Sequence, residues 1–453
     1  MGAMRAILAC LSLVALMPAT AIAQGTARLS HRLWLLDGAP TPAASERLRS
    51  LGVRSVVVAV GDVTVGPGTA RLTLGREGLD LKGVSDWSIT PLVWVSGDGA
   101  AAGDAATFVS QLSVVLGGAG SRSGLVLAAR AYFEGLPRFA SAVAKQLQRP
   151  VELALSAATL AERMPPGGWS GVVPLAVALG NPLALSFPDS TLHDDLASLD
   201  AIDALGADYR AVIVVAPRSI PAPGPRGGSL LELADAQVAV YAPGERGDRY
   251  QLRRPLDWGG VTVGAGQSIE VDAPDAVSYH RDLGHLLRPA RSHLVGWDTA
   301  GLVGDGVPLG LSYEGLSAYL SGRGPVPVPE VRVQWTKPAV ARVTVTNPTA
   351  FSSAAATTSN WVELRFEGSE VRDVALGQFR GVDYGRIVGG HWRRTGAGDA
   401  NAVRLFMTIL APGLTLDGGT ISFVAPPRDI QVRWGLRLSN GSSAVGPLVA
   451  PSS

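Results

Sequence analysis

The chain has almost no cysteine, because Cys10 is the only one in 453 residues. A single cysteine cannot form a disulfide within the chain and cannot form a zinc site made of several cysteines. No position after Cys10 can supply a cysteine nucleophile. Charged residues are also few, at 17% of the chain, with a formal net charge of +1. A nearly neutral chain gives no electrostatic reason to expect nucleic acid or an anionic membrane as a partner.

Long hydrophobic runs are missing as well. The apolar segment 6–17 is shorter than the roughly 20 residues that a membrane-spanning helix needs. It follows Arg5 and precedes small residues that end at Ala23, which is the layout of a secretory signal peptide. The sequence therefore predicts a signal peptide over 1–23, no transmembrane segment in the mature chain, and an exported protein, periplasmic or extracellular.

Several catalytic motifs are absent. The sequence contains no G-x-S-x-G, no G-x-x-x-x-G-K-[ST] and no H-E-x-x-H, and no G-x-G-x-x-G follows the first strand. These absences disfavour a serine hydrolase of the α/β class, a P-loop nucleotide enzyme and a Rossmann dinucleotide enzyme. His280 and His285 are five residues apart, which places them off one helical face. We expect no metal and no cofactor.

The segment 30–243 alternates short apolar runs with helix-like stretches. One such stretch begins at Thr41, a good N-cap, with Pro42 in the first turn and Gly52 as its stop. About eight apolar strands separated by helices or irregular crossovers are typical of an α/β fold with a parallel sheet. We predict a (β/α)8-barrel-like domain, irregular in places, rather than an open doubly wound sheet. The predicted strands are RLWLLDG, RSVVVAVGD, PLVWVSGDG, GLVLAAR, VELALSA, GVVPLAVALG, RAVIVVAP and QVAVYAP.

The composition changes after Pro243. Residues 244–322 predict a β-rich extension, with a hairpin followed by a helix, and the prolines of 323–330 predict an extended linker. From 331 to 445, strands with period-two alternation and turn signals predict an antiparallel β-sandwich. We expect residues 446–453 to form a disordered tail.

The candidate site residues lie at the carboxyl ends of the predicted barrel strands, where the loops of such barrels form one cavity. A glycosidase needs one carboxyl group as acid and a second as nucleophile or base, about 5 to 9.5 Å apart. The catalytic candidates are Asp37, Asp62, Asp98 and Glu134. Aromatic platforms and charged groups that suit a sugar are the substrate-binding candidates Trp34, Trp94, Arg130, Tyr132 and Arg218.

Each candidate also has a structural interpretation. Asp37 and Asp98 each precede a glycine, and Asp-Gly pairs are common in turns. Glu134 lies at the entrance to the helix that begins near Leu136, where the helix dipole favours a carboxylate. Trp34 and Trp94 within apolar strands are typical core residues.

Three stretches carry a resemblance to a known family: HRLWLLDGAPTPAASERLRSLGV, GLVLAARAYFEGLPRFASAVAKQLQRPVELALSAATL and DYRAVIVVAP. The chain resembles a divergent member of a bacterial family of unknown function whose exported members have a glycoside-hydrolase-like α/β barrel. In that family the middle strand ends in two aspartates spaced by one residue, which implies a catalytic pair. The corresponding run here, 127–130, is Leu-Ala-Ala-Arg and contains no acid.

These observations predict an exported glycoside-hydrolase-like protein that binds or hydrolyses an envelope or extracellular polysaccharide, in an active or a catalytically degenerate form. The alternative is a non-enzymatic envelope scaffold or protein-interaction protein. Carboxylates that share one pocket with exposed aromatics favour the first function. Scattered carboxylates that cap helices and turns favour the second.

Overall fold

The computed structural model describes most of the chain after residue 28. The described residues are 29–36, 39–75, 86–99, 103–115, 124–129, 132–162, 174–179, 199–200, 203, 206, 208–216, 218–220, 240–243, 248–258, 261–272, 274–287, 291–304, 310–356, 358–439 and 441–451. The predicted signal peptide lies outside them. The chain divides into two compact units, the first comprising Met1–Ala216, Tyr279–Asp305 and Leu316–Gly324 and the second the remainder.

The secondary structure is rich in strands. The strands are β1 (Ser30–Leu35), β2 (Ser55–Gly66), β3 (Thr69–Leu74), β4 (Ser88–Gly97), β5 (Leu125–Ala129), β6 (Val151–Ser156), β7 (Leu175–Leu179), β8 (Tyr209–Val214), β9 (Arg218–Ile220), β10 (Val240–Pro243), β11 (Asp248–Gln251), β12 (Leu256–Trp258), β13 (Val261–Val263), β14 (Ser268–Asp272), β15 (Leu294–Ala300), β16 (Glu330–Lys337), β17 (Val340–Thr346), β18 (Trp361–Glu367), β19 (Val371–Ala375), β20 (Gly381–Val388), β21 (His391–Arg394), β22 (Ala402–Phe406), β23 (Thr415–Phe423), β24 (Asp429–Arg437) and β25 (Ser443–Val445). The helices are α1 (Pro42–Ser50), α2 (Ala105–Val115), α3 (Leu136–Leu147), α4 (Ala157–Glu162), α5 (Ala276–Leu287) and α6 (Tyr313–Leu320). Among the residues described, no helix is long and apolar enough to cross a membrane.

The first unit is a closed barrel of eight parallel strands, as the sequence predicts. The order around the barrel is β1-β15-β8-β7-β6-β5-β4-β2, and β1 pairs with β2 to close it. β3 pairs antiparallel with the carboxyl half of β2, from Gly61 to Gly66. Continuous apolar runs such as β5 and β7 are buried along their whole length, as expected for strands covered on both faces.

The eighth barrel strand comes from a part of the chain that the pattern assigned to the extension. That strand is β15, which pairs in parallel with β1 and β8. β10, whose apolar sequence predicted a barrel strand, instead pairs antiparallel with β11. An apolar run of this length indicates a buried strand, but it does not specify which sheet the strand joins.

The helices of the first unit begin and end where their sequences indicate. Thr41 is the N-cap of α1 and accepts a hydrogen bond from the Ala44 backbone N–H at 3.3 Å. Gly52 adopts a φ of 92° just after α1, a conformation that favours glycine. Asp104 caps α2 by accepting from the backbone N–H groups of Ala106 and Thr107.

The second unit consists of antiparallel sheets. β10, β11, β14 and β9 form one small sheet in that order, and β12 and β13 form a hairpin. The remaining strands form a four-stranded sheet, β16-β17-β23-β19, and a six-stranded sheet, β21-β20-β22-β18-β24-β25. Side chains from both sheets share one apolar core, which confirms the predicted sandwich. Val449, in the tail predicted to be disordered, exchanges backbone hydrogen bonds with Val432 at 2.7 and 2.9 Å.

Candidate functional site

The rim of the barrel at the carboxyl ends of β2 and β4 contains one of the predicted carboxylates. β2 carries a bulge between Ala59 and Gly61, so that Ala59 pairs with Leu92 but Asp62 pairs with Trp94. Ala59 and Trp94 both pack against the apolar cluster inside the barrel. Since paired residues of parallel strands project to the same face, the bulge directs Asp62 toward the inner side of the rim, beside Trp94.

Glycine is required at the bulge. A Cβ atom added to Gly61 would lie 2.4 Å from the backbone oxygen of Thr73 on β3. No rotation of a side chain relieves a contact with backbone, so a larger residue would force β2 and β3 apart. The position of Asp62 at the rim therefore depends on a glycine one residue earlier.

Three more candidates follow the ends of β4 and β5: Asp98 comes after β4, and Tyr132 and Glu134 come after β5. The segment between β5 and α3 packs on the end of β4, where the Gly135 backbone N–H donates to the Gly99 oxygen at 3.0 Å. Gly97 allows this approach, because a Cβ there would lie 2.8 Å from the Phe133 ring. Asp98 and Glu134 are exposed, and Tyr132 is half-buried. Asp62 thus lies in the carboxyl half of β2, and Asp98 and Glu134 follow the ends of β4 and β5, the next strands in the sheet.

Glu134 lies just before the start of α3, where the helix dipole favours a carboxylate. The N-cap residue of α3 is Gly135, and no side-chain hydrogen bond caps the helix. Glu134 is an exposed residue that precedes the cap.

The other candidates are placed elsewhere. Trp34 is 2% exposed inside the barrel, and its Nε1 donates to Asp298 Oδ2 at 2.8 Å, so it is a core residue. Arg218 begins β9 in the second unit, where it pairs in register with Asp272 of β14. Asp37 and Arg130 lie outside the described residues.

Four charged side chains fill the opposite end of the barrel interior. Arg32, Glu152, Arg210 and Asp298 each precede by two residues an inward-facing residue of the apolar cluster, so all four point inward near the amino ends of their strands. The sequence contains a signal for them that the initial prediction missed. Each is the lone charge within an otherwise apolar barrel strand, and the two positive and two negative charges cancel.

Arg32 joins opposite walls of the barrel. Its Nη2 donates to Asp298 Oδ2 at 2.7 Å on the adjacent strand β15. The same guanidinium donates to both carboxylate oxygens of Glu152, at 2.9 and 2.6 Å. Since β6 is the fourth strand from β1 in the barrel order, Arg32 crosses the interior. Arg210 completes the cluster by donating from Nε to Asp298 Oδ1 at 2.8 Å.

The electrostatics of this end favour a closed ion-pair cluster. Burial opposes ionisation of Asp298, but the charges of Arg32 and Arg210 outweigh it and hold the pKa of Asp298 below its usual value. On the outer face of the same strands, His31 stacks on Trp297 and bonds Thr299 Oγ1 through Nε2 at 2.9 Å. Burial lowers the pKa of His31 to about 4, more than the Asp298 charge raises it.

No group of three or more histidine, cysteine, aspartate or glutamate residues capable of holding a metal occurs in the described part of the chain. In the ion-pair cluster both carboxylates accept from guanidinium groups of the cluster, near the amino ends of the strands. Chemistry in parallel barrels is carried by the carboxyl ends. The rim around Asp62 and Trp94 is therefore the candidate site, and the ion-pair cluster is structural.

Comparisons with known proteins give only distant likenesses. The chain matches no protein-family model and no curated protein. A xylanase and α-amylase inhibitor protein from Scadoxus multiflorus is 11% identical over 41% of this chain and 80% of its own, with a TM-score of 0.27. The spore cortex lytic enzyme SleM of Clostridium perfringens is 10% identical over 88% of this chain and 92% of its own, with a TM-score of 0.24.

A cycloisomaltooligosaccharide glucanotransferase from Paenibacillus sp., solved in complex with cycloisomaltoheptaose, is 9% identical over 94% of this chain and 58% of its own, with a TM-score of 0.29. These TM-scores are too low to indicate a shared fold. The assignment of the closed parallel barrel rests on the strand pairing of the chain itself.

Proposed function

We propose that this chain is an exported, glycoside-hydrolase-like protein that binds an envelope or extracellular polysaccharide at the barrel rim formed by β2, β4 and β5. The observation that supports this most is the bulge that aligns Asp62 with the half-buried indole of Trp94. An indole provides an apolar face for a sugar ring, and a neighbouring carboxylate accepts hydrogen bonds from sugar hydroxyls.

Binding is a better-supported activity than hydrolysis. The inward-facing residues at or just beyond the carboxyl ends of the other six barrel strands are small, apolar or hydroxyl-bearing: Leu36, Ala128, Ser156, Ala178, Val214 and Ala300. Among the described inward positions, Asp62 is therefore the single carboxylate at this end. A glycosidase needs a second one, and Glu134 and Asp98 are the nearest candidates along the rim.

The test is a polysaccharide screen with the mature protein and two rim variants, Asp62→Asn and Trp94→Ala. In affinity electrophoresis we expect a neutral polysaccharide in the gel to retard the wild-type protein. Each variant should bind that polysaccharide about tenfold more weakly, the loss typical of removing a central contact. Asp86→Asn is the matched control, since Asp86 is exposed and pairs with Arg49 at 3.2 Å before the amino end of β4.

Release of reducing ends measures hydrolysis in the same samples. Hydrolysis that disappears in both Asp62→Asn and Glu134→Gln would identify an active pair, and hydrolysis that both variants retain excludes it. A folded wild type that binds no polysaccharide of the panel contradicts the proposal. That result favours the alternative, a non-enzymatic envelope scaffold, for which the cancelling charges inside the barrel provide a rigid core.

A further inference from the structure

The outer face of the six-stranded sheet carries a cluster of arginines around one carboxylate. Along β18, Val362, Leu364 and Phe366 enter the sandwich core, so the alternate residues point outward. Glu363 is one of these and is fully buried despite pointing away from the core. Its cross-strand partners are Arg404 on β22 and Arg433 on β24, which share its face.

Three guanidinium groups cover Glu363. The Nε atoms of Arg365 and Arg433 donate to Oε1 at 2.8 Å each, and Arg404 Nε donates to Oε2 at 2.8 Å. Arg433 adds a bond from Nη2 to Oε2 at 2.9 Å. Among the described residues, Arg365 and Arg404 thus use Nε on Glu363, and their Nη groups remain available for another acceptor.

The cluster has an excess of positive charge. Burial raises the pKa of Glu363, but the hydrogen bonds from Arg433, Arg365 and Arg404 outweigh burial and hold the pKa below its usual value. Glu363 is therefore ionised at neutral pH, and three guanidinium groups around one carboxylate leave a net charge of +2. The three arginine side chains are 17 to 29% exposed, so solvent reaches them.

Two tryptophans fix the geometry of the arginines. The Arg404 guanidinium lies over the Trp361 ring at 4.7 Å and over the Trp392 ring at 4.3 Å from the centroids. The Trp361 ring in turn lies over Gly435, where an added Cβ would be 2.5 Å away, and Trp392 lies over Gly385 at the same distance. Stacking on the tryptophan rings, which themselves contact the sheet closely, fixes the orientation of the guanidinium groups before a ligand binds. This lowers the entropic cost of binding.

We propose that this cluster of Trp361, Arg365, Trp392, Arg404 and Arg433 binds the carboxylates of an acidic, uronate-bearing polysaccharide. A guanidinium fork matches a carboxylate in two parallel hydrogen bonds, and the cluster has unneutralised charge for that anion. The ring faces are already covered by guanidinium groups, so stacking of nucleobases on them is blocked. The neighbouring Asp383 is bonded by Arg394 at 2.8 Å, so that pair leaves the charge of Glu363 and its three arginines unchanged. Glu367 and Asp429 pair in register two residues beyond Arg365 on the same face and lower the positive charge at that end of the sheet.

This site lies in the second unit and goes beyond the proposed function of the barrel rim. The experiment measures binding of full-length mature protein to polygalacturonate and to the same polymer fully methyl-esterified. We expect binding to the acidic polymer alone, with an affinity that falls as salt rises. The double variant Arg365→Gln and Arg404→Gln should weaken it about tenfold or more, the loss expected for charge-assisted hydrogen bonds.

Arg342→Gln is the matched control, because Arg342 is an exposed arginine on the other sheet and pairs with Asp417. It should bind as the wild type does, as should Asp62→Asn, so failure of the barrel proposal is distinguishable from failure of this one. Thermal unfolding checks that each variant is folded, and Arg365→Gln alone replaces the double variant if that one is not. Equal binding of both polymers overturns the proposal, as does an unchanged affinity in a folded arginine variant. Tighter binding of single-stranded DNA than of polygalacturonate overturns it in favour of a nucleic-acid site.

Discussion

At the scale of single residues, His31 couples the stability of the barrel to pH. Burial holds its folded-state pKa at about 4, below the ordinary 6.5 that we expect in the unfolded chain. Between these values the unfolded chain binds a proton that the folded protein does not. The stability that His31 contributes is therefore complete above pH 6.5 and is lost as the pH falls toward 4, by about 1.4 kcal/mol per pH unit for one proton.

The variant His31→Gln should remove this part of the pH dependence. Glutamine retains a polar group that can bond Thr299 but does not titrate. Urea unfolding at pH 7 and pH 5 is the measurement, and the difference between the two pH values should be smaller in the variant than in the wild type. His285 is exposed on α5, and His285→Gln is the control that should leave the wild-type difference in place. An equal pH difference in His31→Gln and wild type contradicts the prediction.

The four charged residues inside the barrel are only partly predictable from the sequence. Arg32, Glu152, Arg210 and Asp298 are visible in the sequence as lone charges in apolar strands. Their partnership is not visible, because Arg32 meets Glu152 across the barrel and 120 positions away along the chain. The closure of the barrel and the stagger of its strands determine which inward residues share a level, and local periodicity contains neither.

At the scale of elements, the strand β2 is predictable from the sequence, but the bulge that orients Asp62 is not. The β-branched run 55–60 predicts the strand, which is confirmed. The bulge itself has no comparable signal, since an isolated glycine within a strand indicates a bulge or a close backbone contact without saying which face follows. Without the bulge, Asp62 would project to the opposite side from Trp94.

Gly61→Ala tests this element directly. The added methyl group meets the Thr73 backbone oxygen at 2.4 Å, so we expect a loss of about 1–3 kcal/mol in unfolding free energy, together with weaker polysaccharide binding as Asp62 moves. Gly284→Ala is the matched control. Gly284 lies within α5 with nothing within 4 Å of the added Cβ, and alanine there should stabilise the protein by about 0.5–1 kcal/mol. Gly61→Ala with wild-type stability would show that the two strands adjust without cost.

At the scale of the whole molecule, the sequence predicts which kinds of domain are present better than it predicts which strands belong to each domain. The parallel barrel and the sandwich both follow from strand patterns. The assignment of β15 to the barrel does not, because the chain leaves the barrel after β8 and builds β9 to β14 before it returns. Pairing of β15 with β1 joins segments more than 260 positions apart, and such pairing depends on the closure of the sheet.

Each unit contains a buried carboxylate that neutralises arginines, and this provides a matched pair of substitutions. Asp298→Asn leaves Arg32 and Arg210 without their shared counter-charge inside the barrel, which typically costs about 3–5 kcal/mol. Glu363→Gln does the same to three arginines on the sandwich.

Because the barrel and the sandwich have separate apolar cores, we expect each substitution to loosen its own unit. Hydrogen exchange followed by mass spectrometry measures this peptide by peptide. Asp298→Asn should accelerate exchange in β1, β8 and β15 while β18, β22 and β24 remain protected, and Glu363→Gln should reverse the pattern. Equal deprotection of both sets by either variant would show that the two units unfold as one.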